Sequence, residues 1–320
     1  GSAARQFGLD FLWWLWAGRN SPIFGRDRMT TFERRFIADK DTWTEPKNAY
    51  YTYYQDPKVC DRLLKEFPPE CIDLVVTSPP YDDLRDYEGV ASWDMEVFQT
   101  IARELYRVMK PGGVVVWVVG DKTLKGSKTL TSFKQALFFQ EIGFDMYDVI
   151  IYEKAGSGPP HPNRYFNAFE YMFVLSKGRP KTINLIKDKP NKWAGTSTYG
   201  EVTRREKDGS LTNKGKKIIG EFGIRTNIWR YANGKGFATS DEIAYKHPAI
   251  FPEKLVEDHI ISWSNLGDLV LDPFGGSGTT AKVAQRLGRD WVLIEAVPEY
   301  CEIAKSRLDS IKPARATNRL

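Results

Sequence analysis

Two stretches of this chain hold residue types that can do chemistry. The first is Thr77-Ser78-Pro79-Pro80-Tyr81, which follows an apolar run. Two prolines fix the backbone and remove two N–H donors, so the loop is rich in acceptors, notably the Ser78 hydroxyl and the Pro79 carbonyl. That pair suits an exocyclic amino group, which offers two N–H donors. Tyr81 adds a flat face for stacking a base, worth about 1–3 kcal/mol. Accepting both amino hydrogens would aim the nitrogen lone pair at an electrophile held nearby, which is catalysis by positioning and electrostatics. Taken alone, the same letters also describe a stiff turn.

The second stretch is Asp272-Pro273-Phe274-Gly275-Gly276-Ser277-Gly278-Thr279-Thr280. Small residues permit close backbone approach, and the pattern Gly276-x-Gly278-x-x-Ala281 fits a dinucleotide-binding turn. Glu295 lies nineteen residues after Gly276, at the end of the next expected strand, where it could accept both ribose hydroxyls of an adenosine group. No Gly-Lys-Ser/Thr follows, so this is not a Walker A loop.

The elements around these loops decide whether they can meet. Residues 71–77 read as a buried strand, and residues 93–109 as a helix with Met95, Phe98, Ile101, Leu105 and Val108 on one face. Lys110-Pro111-Gly112-Gly113 should stop that helix. Residues 114–119 (VVVWVV) are continuously apolar, as in a strand covered on both faces. Further strands are expected at 147–152, 170–175, 268–271 and 291–295, with helices at 129–141, 251–262, 280–287 and 298–310. Strands alternating with helices predict an α/β fold with a parallel, doubly wound, Rossmann-like sheet. Both chemical loops follow the carboxyl ends of strands, where ligands bind in such sheets. If those two strands are neighbours, the loops face one pocket.

Composition narrows the class. Apolar residues make up 42 % of 320, enough for a sizeable core. Cys60, Cys71 and Cys301 show neither metal-ligand spacing nor a disulfide framework, which points to a reducing, cytoplasmic setting. His161, His247 and His259 are scattered, so no metal is expected. No apolar run is long enough for a membrane span. Between Lys181 and Lys235, thirteen Lys or Arg face five Asp or Glu; with a net charge of +5 for the whole chain, the rest is slightly acidic. A basic surface confined to one segment is the footprint of nucleic-acid contact, although a solvated basic insertion would look the same. At the amino end, Gly1-Ser2 reads as a cloning remnant and Met29 as a candidate natural start. The aromatic run at 11–18 (FLWWLWAG) is expected to dock on the body or on a second subunit.

With these residues in view, the sequence resembles the amino-group DNA methyltransferases that use S-adenosylmethionine. The stretch 272–280 matches their cofactor motif, with the F-x-G-x-G core at Phe274, Gly276 and Gly278. The stretch 77–81 matches their catalytic motif in its serine form, which is similar to the cytosine-N4 branch; adenine-N6 members more often carry Asp. The catalytic motif precedes the cofactor motif, with a basic insertion between, as in the permuted β class. Residues 107–121 and 167–178 are similar to the family's sheet segments. Residues 247–260 (HPAIFPEKLVEDHI), including Phe251, are similar to the helix that helps cover the methionine moiety.

The resemblance implies a site-specific enzyme that flips a cytosine out of double-stranded DNA and methylates its N4 directly. Catalytic roles fall to Ser78, Pro79, Pro80 and Tyr81. Cofactor contacts fall to Asp272, Phe274, Gly275, Gly276, Gly278, Thr279, Glu295 and Phe251, and to Asp56, where Gln55 replaces the family's usual glycine. Arg204, Arg205, Arg225, Arg230 and Lys192 are the DNA-contact candidates. Expected domains are an N-terminal extension (1–45), a catalytic half (46–179), a target-recognition insertion (180–245), a cofactor half (246–310) and a tail (311–320). A homodimer and a cognate restriction enzyme stay open as partners. The rival activities are adenine-N6 methylation on the same fold and, more distantly, NAD-dependent oxidoreduction.

Overall fold

The apolar run at 114–119 is buried throughout, and its side chains alternate between two cores. Val114, Val116 and Val118 enter one, and Val115, Trp117 and Val119 the other. A strand covered on both faces needs this pattern. The computed structural model describes residues 49–51, 59–80, 93–156, 162–198, 203–213, 215–250 and 252–311, with side chains from residue 63 onward. Asp56, Tyr81, His161 and Phe251 lie outside the described residues.

The chain runs through β1 (Ala49–Tyr51), α1 (Val59–Glu66), β2 (Ile72–Thr77), α2 (Met95–Val108) and β3 (Met109–Val119). A short hairpin, β4 (Thr123–Leu124) and β5 (Ser127–Lys128), precedes α3 (Thr131–Glu141), β6 (Asp145–Lys154) and β7 (Phe169–Ser176). Four short strands follow: β8 (Lys189–Pro190), β9 (Thr203–Arg205), β10 (Leu211–Asn213) and β11 (Phe222–Gly223). The chain ends through β12 (Ile228–Tyr231), a 3-10 turn (Glu242–Lys246), α4 (Glu253–Trp263), β13 (Leu269–Asp272), α5 (Thr279–Arg286), β14 (Asp290–Ile294) and α6 (Pro298–Asp309).

Eight strands form one sheet in the order β1-β14-β13-β2-β3-β7-β6-β12. Helix residues from α1, α2 and α3, including Leu63, Phe98, Ile101 and Phe139, cover one face. Leu255, Ile260, Val283, Ala304 and Leu308 from α4, α5 and α6 cover the other. Helix α2 begins where Asp94 caps it, accepting from the Val97 amide at 2.9 Å. It ends at Val108, ahead of the Pro-Gly-Gly stretch that signals a stop. The chain then enters β3 directly, with a register shift opposite residues 72–74.

The sheet departs from the all-parallel expectation at one strand. β7 pairs antiparallel with both β3 and β6. Among the described residues no helix lies between β6 and β7, whereas a parallel pair usually needs a helical crossover.

By contacts the described residues divide into two compact units, the smaller being Asn184–Asn227. It is narrower than the 180–245 span expected for the insertion. Ile228–Tyr231 belongs to the main sheet, paired parallel with β6, and Trp229 and Tyr231 are buried there. Among the described residues of the smaller unit none is buried. It is held by strand pairs, β9 with β10 and β8 with β11, by the Asn191 amide donating to Gly220 O at 2.8 Å, and by a two-pronged ion pair of Arg225 with Asp188.

Candidate active site

The strands that carry the two chemical loops are neighbours. β2 and β13 pair in parallel, Val270 opposite Leu74 and Leu271 opposite Val75. From β2 the chain crosses by α2 to β3 on one side; from β13 it crosses by α5 to β14 on the other. The helices lie on opposite faces, so the gap between β2 and β13 is the topological switch point, where an open α/β sheet forms its ligand crevice. Side chains stitch the two loops together. Thr77 Oγ1 donates to Asp272 Oδ1 at 2.6 Å across 195 residues of sequence. Thr280 Oγ1 donates to Val76 O at 3.1 Å.

Glycine is required in the second loop for stated steric reasons. A Cβ on Gly275 would sit 2.3 Å from Leu293 Cγ, and one on Gly278 would sit 2.6 Å from Ala304 Cβ. Gly276 and Gly278 have φ of 49° and 77°, the left-handed region that side chains avoid. Phe274 pins the loop from the other side. Its ring meets Trp93 edge-on at 5.2 Å between centroids and Trp117 at 6.0 Å. The Glu295 carboxylate closes the loop, accepting from the Gly276 amide at 2.6 Å and the Val297 amide at 2.8 Å.

Two carboxyls in this crevice titrate late. Burial pushes the Asp272 carboxyl up to about 6, against the pull of the Thr77 hydroxyl and the Phe274 amide. Burial pushes the Glu295 carboxyl up to about 7; the Val297 and Gly276 amides pull it down, and the nearby Asp272 charge adds to the rise. Asp272 Oδ2 is buried with no hydrogen-bond partner among the described residues. A glycine cradle with no room for a Cβ, an orphaned buried acceptor and a carboxylate at the next strand end together fit an adenosine-bearing cofactor with donor groups.

The expected site residues fall as follows. Ser78 and Pro80 are half-buried and Pro79 is buried at the carboxyl end of β2. Asp272, Phe274, Gly275, Gly276, Gly278, Thr279 and Glu295 gather beside them. Arg204 and Arg205 are exposed on β9, and Lys192 lies over the Trp193 ring at 5.3 Å. Arg225 is engaged with Asp188. Arg230 projects from β12 in the main sheet, 3.8 Å from Glu153 and largely exposed.

A buried ion cluster behind the glycine loop was missed by the sequence reading. Arg307, on α6, has a side chain with no exposed surface. It donates to Asp241 Oδ2 at 2.8 Å, Glu253 Oε1 at 2.9 Å and Ser277 O at 2.7 Å. Lys282 donates to the same two carboxylates, at 2.7 Å each. Burial alone would raise Asp241 and Glu253, but hydrogen bonds led by Lys282 hold both below the usual carboxylate range.

A mostly parallel sheet whose switch point holds a glycine turn against a proline turn defines a Rossmann-like methyltransferase. The chain belongs to the N6/N4 DNA methylase family, whose model matches residues 72–306. It is 55 % identical over 247 residues to the orphan methyltransferase M.BamHII of Bacillus amyloliquefaciens, covering 77 % of this chain and 92 % of that one. In fold it is similar to the PvuII cytosine-N4-specific DNA methyltransferase, with a TM-score of 0.58, 24 % identity, and 82 % and 88 % of the two chains covered. It is also similar in fold to M1.HpyAVI, solved as a complex with SAM, with a TM-score of 0.51, 21 % identity, and 81 % and 99 % coverage. The oxidoreductase reading of the glycine spacing gives way to methyl transfer.

The amino-terminal segment tells a different story. Residues 2–73 match a model for Firmicute fructose-1,6-bisphosphatase. A class 3 enzyme of Clostridium botulinum is 52 % identical over 64 residues, spanning 20 % of this chain and only 10 % of that enzyme. Asp56 falls in this segment, ahead of where the methylase match begins. Among the described residues no helix is long and apolar enough to cross a membrane.

Proposed function

We propose that this DNA methylase transfers a methyl group from S-adenosylmethionine to the N4 amino group of a cytosine flipped out of double-stranded DNA. The observation that carries the reading is the 2.6 Å bond from Thr77 to Asp272. It ties the amino-accepting proline turn to the cofactor cradle, within reach of one reacting pair. S-adenosylmethionine, when bound, supplies an electrophilic sulfonium methyl. Glu295 accepts its ribose hydroxyls, the glycine cradle of Gly275, Gly276 and Gly278 with Thr279 admits its backbone, and Asp272 and Phe274 set the floor. Asp56 and Phe251 are assigned to cofactor contact on the family pattern alone.

Ser78 and the Pro79 carbonyl accept the two amino hydrogens, Pro80 stiffens the turn, and Tyr81 stacks on the base. The lone pair then points at the donor, and no covalent enzyme intermediate forms. The proton departs to water or through Ser78, whose neutral hydroxyl is a weak base. The order of the loops, catalytic before cofactor, supports a permuted arrangement with the basic segment as the target-recognition region. Within it, Arg204, Arg205 and Lys192 are free to approach DNA, and Arg230 flanks them in sequence. Arg225 is the weaker candidate because Asp188 holds it. The similarity to an orphan relative supports action without a dedicated nuclease.

Mass spectrometry of nucleosides from DNA treated with the enzyme tests the choice of base. N4-methylcytosine without N6-methyladenine is expected; the reverse would assign the adenine-N6 activity instead. Ser78→Ala and Tyr81→Ala should each abolish most transfer while leaving cofactor affinity near wild type.

A further inference from the structure

We infer that Arg307 is a positioning residue for the methyl-donor site, holding the glycine turn in its binding conformation from behind. The inference rests on reading that turn as the S-adenosylmethionine cradle. Ser277 sits between two glycines with left-handed backbones, a local conformation that ordering must maintain. One nitrogen of Arg307, Nη1, donates to Ser277 O at 2.7 Å, Ser277 Oγ at 3.0 Å and Thr279 Oγ1 at 3.0 Å. Its other nitrogens face away from the turn. Nε donates to Asp241, and Nη2 donates to Glu253 and, at 3.5 Å, to Thr239 Oγ1. A planar fork can serve both sides at once, and a single ammonium cannot.

Charge balance calls for a second cation, since Asp241 and Glu253 carry two negative charges against one positive charge on Lys282, but a lysine would supply that charge equally well. Lys282 already bonds both Asp241 and Glu253 at 2.7 Å, and Arg286 approaches the far oxygen of Glu253 at 3.5 Å. Burying another guanidinium is costly unless its donors are used. What Arg307 adds is the set of contacts to Ser277 and Thr279. The two carboxylates therefore act as its anchor. Asp241 stands just before the 3-10 turn, and Glu253 opens α4, so three separate elements brace one loop.

The discriminating variant is Arg307→Lys, which keeps the charge facing Asp241 and Glu253 and gives up the fork. Binding of S-adenosylmethionine is measured by calorimetry, and amide hydrogen exchange of residues 275–280 is measured in the cofactor-free protein. The expected result is a melting temperature near wild type and faster exchange in the turn. Affinity should weaken by about tenfold or more, the equivalent of one to two lost hydrogen bonds. In methyl-transfer kinetics KM for the donor should rise while kcat at saturation stays within about twofold, as loss of uniform binding requires. The paired variant Arg307→Met with Glu253→Gln removes one charge of each sign, guards against misfolding, and should shift the same readouts further. Wild-type affinity and exchange in Arg307→Lys would overturn the positioning role alone. Failure of the unaltered protein to bind S-adenosylmethionine would instead sink the reading of the turn, and this inference with it.

Discussion

Glu295→Gln is the most informative single change, because one carboxylate holds the loop and, in the proposed function, also the cofactor's ribose. In the structure it accepts from the Gly276 and Val297 amides, one per oxygen. Glutamine has one acceptor oxygen, so its amide nitrogen would face one of those N–H groups. It also loses the charge that would hold the ribose hydroxyls. Hydrogen bonds to a charged acceptor contribute about 1.5–3 kcal/mol each. Weakening two of them costs about 3 kcal/mol, or roughly a hundredfold in Kd for S-adenosylmethionine.

The pH dependence sharpens the test. Burial holds the Glu295 carboxyl at about 7, above its usual range. The free protein therefore binds a proton that the hydroxyl-accepting form must release. Wild-type affinity should loosen as pH falls below about 7, by up to about tenfold per pH unit. Glu295→Gln should show no such slope. The same raised pKa makes the cofactor-free fold lose stability as pH rises through that window, because the unfolded carboxyl has already released its proton. Calorimetric titrations between pH 5.5 and 8 read both quantities. A flat wild-type profile, or a Gln variant that binds as tightly as wild type at pH 8, would refute the reasoning.

Other outcomes follow from the same geometry. Gly278→Ala places a Cβ 2.6 Å from Ala304 at a φ of 77°; the backbone alone costs about 1–2 kcal/mol, so the melting temperature should fall by several degrees and cofactor binding should weaken. Thr77→Val removes the donor to Asp272 Oδ1; leaving that buried oxygen to the Phe274 amide should cost about 1–3 kcal/mol in a urea titration. Arg204→Ala combined with Arg205→Ala should weaken DNA binding across sequences and reduce the slope of log affinity against log salt by about two, if both residues touch phosphates. An unchanged slope would remove them from the interface.

Much of the sheet was legible because its strands are covered on both faces. Residues 71–77, 114–119 and 291–295 announce themselves as apolar runs, and the structure places strands there within a residue or a few. Glycine and proline made the two loops legible, since their backbone demands are local. Direction was harder. β7 carries the same apolar letters a parallel strand would, so its sequence does not show that it runs antiparallel to β3 and β6. The strand at Ile228–Tyr231 was hidden in a basic segment, although its alternation, Trp229 and Tyr231 buried with Ile228 and Arg230 exposed, is a strand's own signature. Arg307, Lys282, Asp241 and Glu253 were invisible for a deeper reason. A buried ion cluster is written in the same residue types as a solvated surface, and its members lie far apart in sequence.

The bond between Thr77 and Asp272 has a consequence in time as well as space. A growing chain displays the proline turn well before β13 and β14, since 195 residues separate Thr77 from Asp272. Until they emerge, the turn has no cradle beside it. Loop closure over such a span is slow relative to local structure. Methyl transfer therefore waits on that long-range closure, and a chain cut short before Ile294 would leave DNA untouched.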